Sequence, residues 1–206
     1  MNLKRFILEL FQNNNNDDDF EEFEREQFKE IEDRRERLKQ ERWESLSRNI
    51  EENVLIDIYG LVNYDMVKTK YDENYIVALS SIPGRSGFFN IYAIASGTIF
   101  ILGEGHSSIM SAERLLFEIC EREVGGQERK YIRIVDVLIT GSKGRGSIAM
   151  ESLISYAKEI GSSWIEGETS CVDEQTELDK IRRDNFYKKY NFKFEGETGR
   201  NLMLRL

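Results

Sequence analysis

The chain has 206 residues, 40% of them hydrophobic, and a formal net charge of -9, which suits one domain with a real core plus an appendage. No long basic patch occurs, which argues against nucleic acid as a partner. One histidine excludes a multi-histidine metal site, Cys120 and Cys171 are too far apart for a disulfide framework or metal cluster, and no apolar run approaches the ~18 residues of a membrane span.

The N-terminal stretch Met1 to Leu8 has basic and apolar residues, but its apolar run is short and ends at Glu9. It makes a poor signal peptide, so a soluble cytoplasmic protein is expected. Asn13 to Asp19 is a polar run that reads as a loop or helix boundary. From Phe20 to about Ile50 the sequence is charge-dense and has neither Gly nor Pro. Good helix formers dominate, and Phe20, Phe23, Phe28, Ile31, Leu38, Trp43 and Leu46 form one narrow apolar stripe. Residues 1–52 hold 10 basic and 16 acidic side chains, so this segment carries -6 of the -9. The spacing predicts a long helix from Phe20 to about Ile50, within a charged helical extension over 1–50 that docks on its own domain, pairs with a second copy, or meets another partner. Arg35 and Arg42 interrupt a heptad seam.

A separate domain is expected over 51–206, where the pattern turns to β. Val54 to Val62 and Tyr75 to Leu79 read as strands, and Ser80 to Gly87, with the only proline, as a turn. Phe88 to Ala95 and Thr98 to Leu102 read as two strands joined at Ser96-Gly97. Gly103 to Met110 is a loop carrying Glu104 and His106. A helix is predicted from Ser111 to about Val124, stopped by Gly125-Gly126. Next come a strand over Tyr131 to Thr140, a glycine-rich turn, and a helix from Ser147 to about Ile160 closed by Gly161. A strand over Ser163 to Ser170, a helix over Glu174 to Tyr190, and strands at Phe192 to Phe194 and Leu202 to Leu204 complete a mixed α/β sheet.

Gly144-Arg145-Gly146 lies between a strand and a helix start. Backbone N–H groups there have no intrahelical partner, the helix dipole adds positive charge, and glycine lets a phosphate approach. Gly141 to Ser147 lacks the Lys-Ser pair of a Walker loop. A dinucleotide fingerprint would leave too few βα units after it. A kinase-type loop would need partner motifs that are missing.

Gly144 to Lys158 resembles the acyl-CoA-binding motif of the GNAT superfamily of N-acyltransferases, [QR]-x-x-G-x-[GA] followed by a helix. Asn185-Phe186-Tyr187-Lys188-Lys189-Tyr190-Asn191-Phe192 is similar to the family's second signature, F-Y-x-K-x-G-F, and Ile165 to Ser170 looks like its splayed strand. The resemblance covers roughly residues 54–206, with Gly141 where the family has Gln or Arg and Asn191 where it has Gly. It implies a GNAT-like fold with an N-terminal helical extension, acetyl-CoA as cosubstrate without a metal, and a primary amine as acceptor, either a small molecule or a protein amine. The amine would attack the thioester directly in a ternary complex. The alternative is a catalytically inactive GNAT-like module that binds CoA or a partner as a sensor or adaptor.

By the same resemblance, Lys143, Gly144, Arg145, Gly146, Ser147 and Ile148 would bind the pyrophosphate. Val137, Leu138 and Ile139 would run beside the pantetheine arm, and Asn185 would touch the cofactor. Tyr187 would protonate the leaving thiolate, since a phenol with a pKa of ~10 is protonated at neutral pH. An amine with a pKa of ~10.4 must lose a proton before attack, and the candidates for that general base are Glu166, Glu168 and His106.

Overall fold

The computed structural model describes residues 17–51, 61–68, 74–83, 92–103, 106, 109–139, 144–169, 176–197 and 199–206. The chain divides into two compact units, with the division after Ser45. Helix α1 spans Asp17–Glu51. Charged pairs at helical spacing support it, such as Lys39 Nζ at 2.6 Å from Glu36 Oε1. Phe28, Ile31 and Leu38 of its apolar stripe are exposed.

The second unit is built on one eight-stranded sheet in the order β1-β2-β3-β4-β5-β6-β8-β7. The strands are β1 (Leu61–Lys68), β2 (Asn74–Pro83), β3 (Ala93–Gly103), β4 (Glu113–Val124), β5 (Gln127–Leu138), β6 (Trp164–Glu168), β7 (Lys193–Glu195) and β8 (Asn201–Arg205). Helix α2 (Arg145–Glu159) connects β5 to β6, and helix α3 (Glu177–Lys189) connects β6 to β7. Among the described strands only β5 and β6 pair in parallel, as a strand–helix–strand crossover requires. Every other pairing is antiparallel.

One face of the sheet carries the main core. Ile99, Ile101, Leu115, Phe117, Ile119, Ile132, Ile134 and Ile165 pack there with Ile148, Met150 and Leu153 of α2 and Tyr187 of α3. The opposite face holds a smaller cluster of Ala93, Cys120, Tyr131 and Trp164. Left-handed residues close both helices: Gly161 with φ 70 after α2 and Asn191 with φ 65 after α3. Asn191 therefore holds the turn that a glycine would otherwise take.

Three expected elements take a different form. Ser80 to Pro83, read as the start of a turn, continue strand β2, and residues 84–87 lie outside the described residues. The segment read as a helix from Ser111 to Val124 is a short 3₁₀ turn at Ile109–Ser111 followed by strand β4. Its Glu, Arg and Leu residues favour a helix locally. However, Leu115, Phe117 and Ile119 alternate onto the core, and β4 has a strand on each side, β3 and β5. Cross-strand packing outweighs propensity there. Gly125 and Gly126, at φ 61 and 77, form the tight hairpin turn into β5 instead of stopping a helix. Likewise, Ser96-Gly97 is no turn but lies within the continuous strand β3, where Gly97 faces Phe117 across the pair. Residues 54–60 and 88–91 of two expected strands lie outside the described residues.

Candidate functional site

Strand β5 carries a bulge. Leu116 pairs with Asp136 and Phe117 with Ile134, so Val135 has no partner on β4. An extra residue reverses the facing of the strand positions after it. Ile132 and Ile134 point to the core before the bulge, and Val137 and Ile139 pack against the same core after it. The parallel ladder with β6 contains only Ile132–Ile165 and Arg133–Glu166. Beyond that point β5 runs on to Leu138 and β6 to Glu168 without pairing with each other. A side chain at Gly167 would put its Cβ 3.3 Å from Ile134 Cβ, so glycine keeps the strands close where the ladder ends.

Helix α2 begins near the open end of this fork. Its N-cap is Gly144, left-handed at φ 84, and no side chain caps the helix. The first bond of the helix runs from Ile148 N–H to Gly144 O at 3.1 Å. The N–H groups of Arg145, Gly146 and Ser147 precede it and have no helical acceptor. Gly146 lies close to Phe186, whose ring would be 3.4 Å from an added Cβ. Lys143 and Gly141 lie outside the described residues.

The charges around this helix start differ from those expected. Arg145 turns its guanidinium to Glu113, with Nη1 2.9 Å from Oε1, and lies 6.0 Å from the Tyr75 ring centroid. Its backbone N–H remains at the helix start, but its charge is largely matched by Glu113. Lys189, which sequence reasoning passed over, supplies a cation there. Its Nζ donates to Ser147 Oγ and to the Tyr190 hydroxyl, both at 3.0 Å. The bond to Tyr190 is the main reason its pKa is raised above the ordinary 10.5. Lys189 is visible in sequence only as one of two lysines after Tyr187; the packing of α3 on α2 selects it.

The remaining predicted residues fall in four places. Tyr187 is buried in the core, its ring edge-on to Phe186 and Phe192 at 5.3 and 5.5 Å. Asn185, two positions earlier on α3, is exposed. Val137 is half-buried and Leu138 exposed at the end of β5, and the Val137 N–H already donates to Asp136 Oδ1 at 2.8 Å. A ligand oxygen at that N–H would compete with this carboxylate.

His106 lies at the end of β3. Its Nδ1 accepts the Gly103 N–H at 2.8 Å while its backbone N–H donates to Gly103 O at 2.9 Å. It does not line the cleft that holds the two glutamates. Glu166 and Glu168 share one face of β6, opposite α2 and α3, and line a cleft of about 490 Å³. Glu166 is engaged there, accepting the Trp164 Nε1–H at 2.9 Å. Glu168 is exposed.

The same face holds Glu118, which the helical reading hid. It is 2% exposed, and Arg133 Nη1 stands 3.9 Å from its Oε2. Burial raises its pKa from the ordinary 4.5, with Arg133 opposing. A carboxyl group with a raised folded-state pKa stabilises fully below the ordinary value, and that contribution is lost as pH rises through the raised value. Glu118→Gln should therefore flatten the loss of stability as pH rises above the ordinary carboxylate range, read from urea midpoints at several pH values. An unchanged pH profile would contradict the burial of a titrating Glu118. Cys120 beside it is buried and its thiol is pushed up to about 11, chiefly by burial, so it is neutral at physiological pH and not poised as a nucleophile.

Among the described residues, no helix is long and apolar enough to cross a membrane, and no group of three or more His, Cys, Asp or Glu could hold a metal ion. No family model and no curated protein sequence matches the chain.

Proposed function

We propose that the protein has a GNAT-like fold and transfers an acetyl group from acetyl-CoA to a primary amine. The observation that carries this reading is the fork between β5 and β6, with the uncapped glycine start of α2 beside its open end. The sheet order supports it too: four antiparallel strands lead into a bulged strand, one parallel crossover follows, and a final strand is inserted between its predecessor and β6.

The parts fit the cosubstrate chemically. Unpaired strand backbone can receive an amide-bearing arm as an added strand. Free N–H groups at a helix start, with Lys189 beside them, suit a pyrophosphate. Bound acetyl-CoA supplies an acyl carbon open to attack by an amine. In the transfer a nitrogen–carbon bond forms and a carbon–sulfur bond breaks. Tyr187 gives its hydroxyl proton to the departing sulfur and is re-protonated from solvent; of the two protons an ammonium acceptor loses on the way to the amide, Glu168 takes one, directly or through one water, and solvent takes the other.

Free-thiol release from acetyl-CoA, measured across a panel of primary amines, tests the reaction. Amine-dependent release is expected. Tight binding of acetyl-CoA with no release for any amine would instead favour the non-catalytic CoA-binding module.

A further inference from the structure

Helix α1 has a charge gradient along its length that a lone helix does not need. Residues 17–33 hold ten acidic and two basic side chains, and residues 34–51 hold four acidic and six basic. One unbroken element, Asp17–Glu51, runs through both halves and spans about 52 Å at 1.5 Å per residue. The first half is strongly negative and the second is positive.

The middle of the helix, residues 25–42, is exposed throughout. Side-chain bonds there stay within the helix, as from Lys39 to Glu36 and from Gln40 to Glu44. The apolar residues of this stretch are Phe28, Ile31 and Leu38, which are 66, 54 and 46% exposed. Their spacing puts them on one line. Phe28 takes an a position of a heptad, and Ile31 and Leu38 take d positions, with Arg35 and Arg42 at the following a positions.

From this line and the charge gradient we infer that α1 pairs antiparallel with the same helix of a second copy of this chain. In a parallel pair each a residue meets its own counterpart. Arg35 would face Arg35, Arg42 would face Arg42, and the acidic half would lie along another acidic half. Antiparallel pairing sets a against d and lays the acidic half of each helix on the basic half of the other. With Phe28 opposite Leu38, Ile31 falls opposite Arg35, and Arg42 falls level with Glu24. The methylene stem of Arg35 can cover Ile31 while its head stays in water. Two-fold symmetry repeats each pairing, so the same patch serves both copies. The two arginines that interrupt the seam in one orientation therefore fit it in the other. A partner of unrelated sequence would not require the two halves of α1 to complement each other. The inference concerns α1 alone and does not depend on acetyl transfer.

Sedimentation equilibrium of the full chain tests it, with twice the mass of one chain expected at micromolar concentration. Ile31→Glu combined with Leu38→Glu should weaken self-association by at least about 100-fold, because four apolar side chains leave each seam. Both positions are exposed in the single chain and glutamate is a good helix former, so the sheet unit should keep its melting temperature. A monomer at the highest soluble concentration would overturn the inference, and so would a dimer that persists undiminished in the double variant. Orientation is read separately from spin labels on Arg25→Cys in a Cys171→Ser background. Position 25 lies level with position 41 in the antiparallel register, which separates the two labelled positions by about 24 Å along the helices. A parallel pair would bring them to about one interaxial distance, roughly 10 Å. A label separation of that shorter kind would overturn the antiparallel arrangement.

Discussion

Tyr187→Phe should lower turnover by on the order of 100-fold or more while leaving acetyl-CoA affinity within a factor of about 2, as expected of a general acid that acts only in the chemical step. The substitution removes one oxygen and retains the ring. The ring lies buried between Phe186 and Phe192, so the packing of the ring itself is kept. The reason to expect a catalytic effect is chemical. A phenol stays protonated at neutral pH, and although its proton moves uphill by about 1.5 pKa units onto a thiolate with a conjugate-acid pKa of ~8.5, it stabilises the negative charge as the carbon–sulfur bond breaks. Turnover equal to that of the unaltered chain, with normal affinity, would reject this role and leave Tyr187 as a core residue only. Combined loss of melting temperature and activity would mean that the hydroxyl serves the fold.

Gly97→Val should produce the largest loss of stability. A Cβ at this position would lie 2.1 to 2.7 Å from three atoms of the Phe117 ring. Phe117 is 1% exposed in the main core, so the ring has no open space to enter. Overpacking of this kind costs about 1–3 kcal/mol, and displacing a buried Phe about 3–5 kcal/mol. For a chain of this size that corresponds to a fall in melting temperature of about 10 °C. Phe117→Ala in the same chain should remove much of the additional penalty of Gly97→Val, because the two substitutions act on one contact. Strict additivity would contradict the pairing of Gly97 with Phe117. It would also restore the reading of Ser96-Gly97 as a hairpin turn, where no such coupling arises.

These two positions mark where the sequence could and could not be read. Around Tyr187, local signals agree with one another. Thr176 caps α3 by accepting the Asp179 N–H, basic residues fill its last turn, and Asn191 takes the left-handed turn. Glycine at 144 and 161 brackets α2 in the same way. Around Gly97 and β4 they conflict. A glycine after a serine inside an apolar run imitates a turn. Only the aromatic residue on the neighbouring strand explains why no side chain fits. In β4, helix-forming residues conceal an alternation in which Leu115, Phe117 and Ile119 face the core while Glu118, Cys120 and Arg122 face the other way.

That single misreading hid Arg122, the residue that β4 contributes to the lining of the cleft. Glu118 and Arg122 meet Arg133 and Glu166 only once β4 is known to lie beside β5. The alternation itself was the available signal. Its competitor was the high helix propensity of Glu, Arg and Leu, which two flanking strands override. The cation at the start of α2 was illegible for another reason. Whether Arg145 or Lys189 faces Ser147 depends on the position of Glu113 and on how α3 packs on α2, and neither is a local property.

Binding of acetyl-CoA is the point on which the functional account turns. Calorimetric titration of the full chain with acetyl-CoA, repeated with Gly144→Val, measures it directly. Any L side chain at the left-handed Gly144 costs about 1–2 kcal/mol of backbone strain, and that strain falls on the turn whose N–H groups would hold the pyrophosphate. The account predicts one site per chain in the unaltered protein and at least tenfold weaker binding in the variant. No heat of binding in the unaltered protein, together with no rise in its melting temperature at millimolar acetyl-CoA, would contradict it.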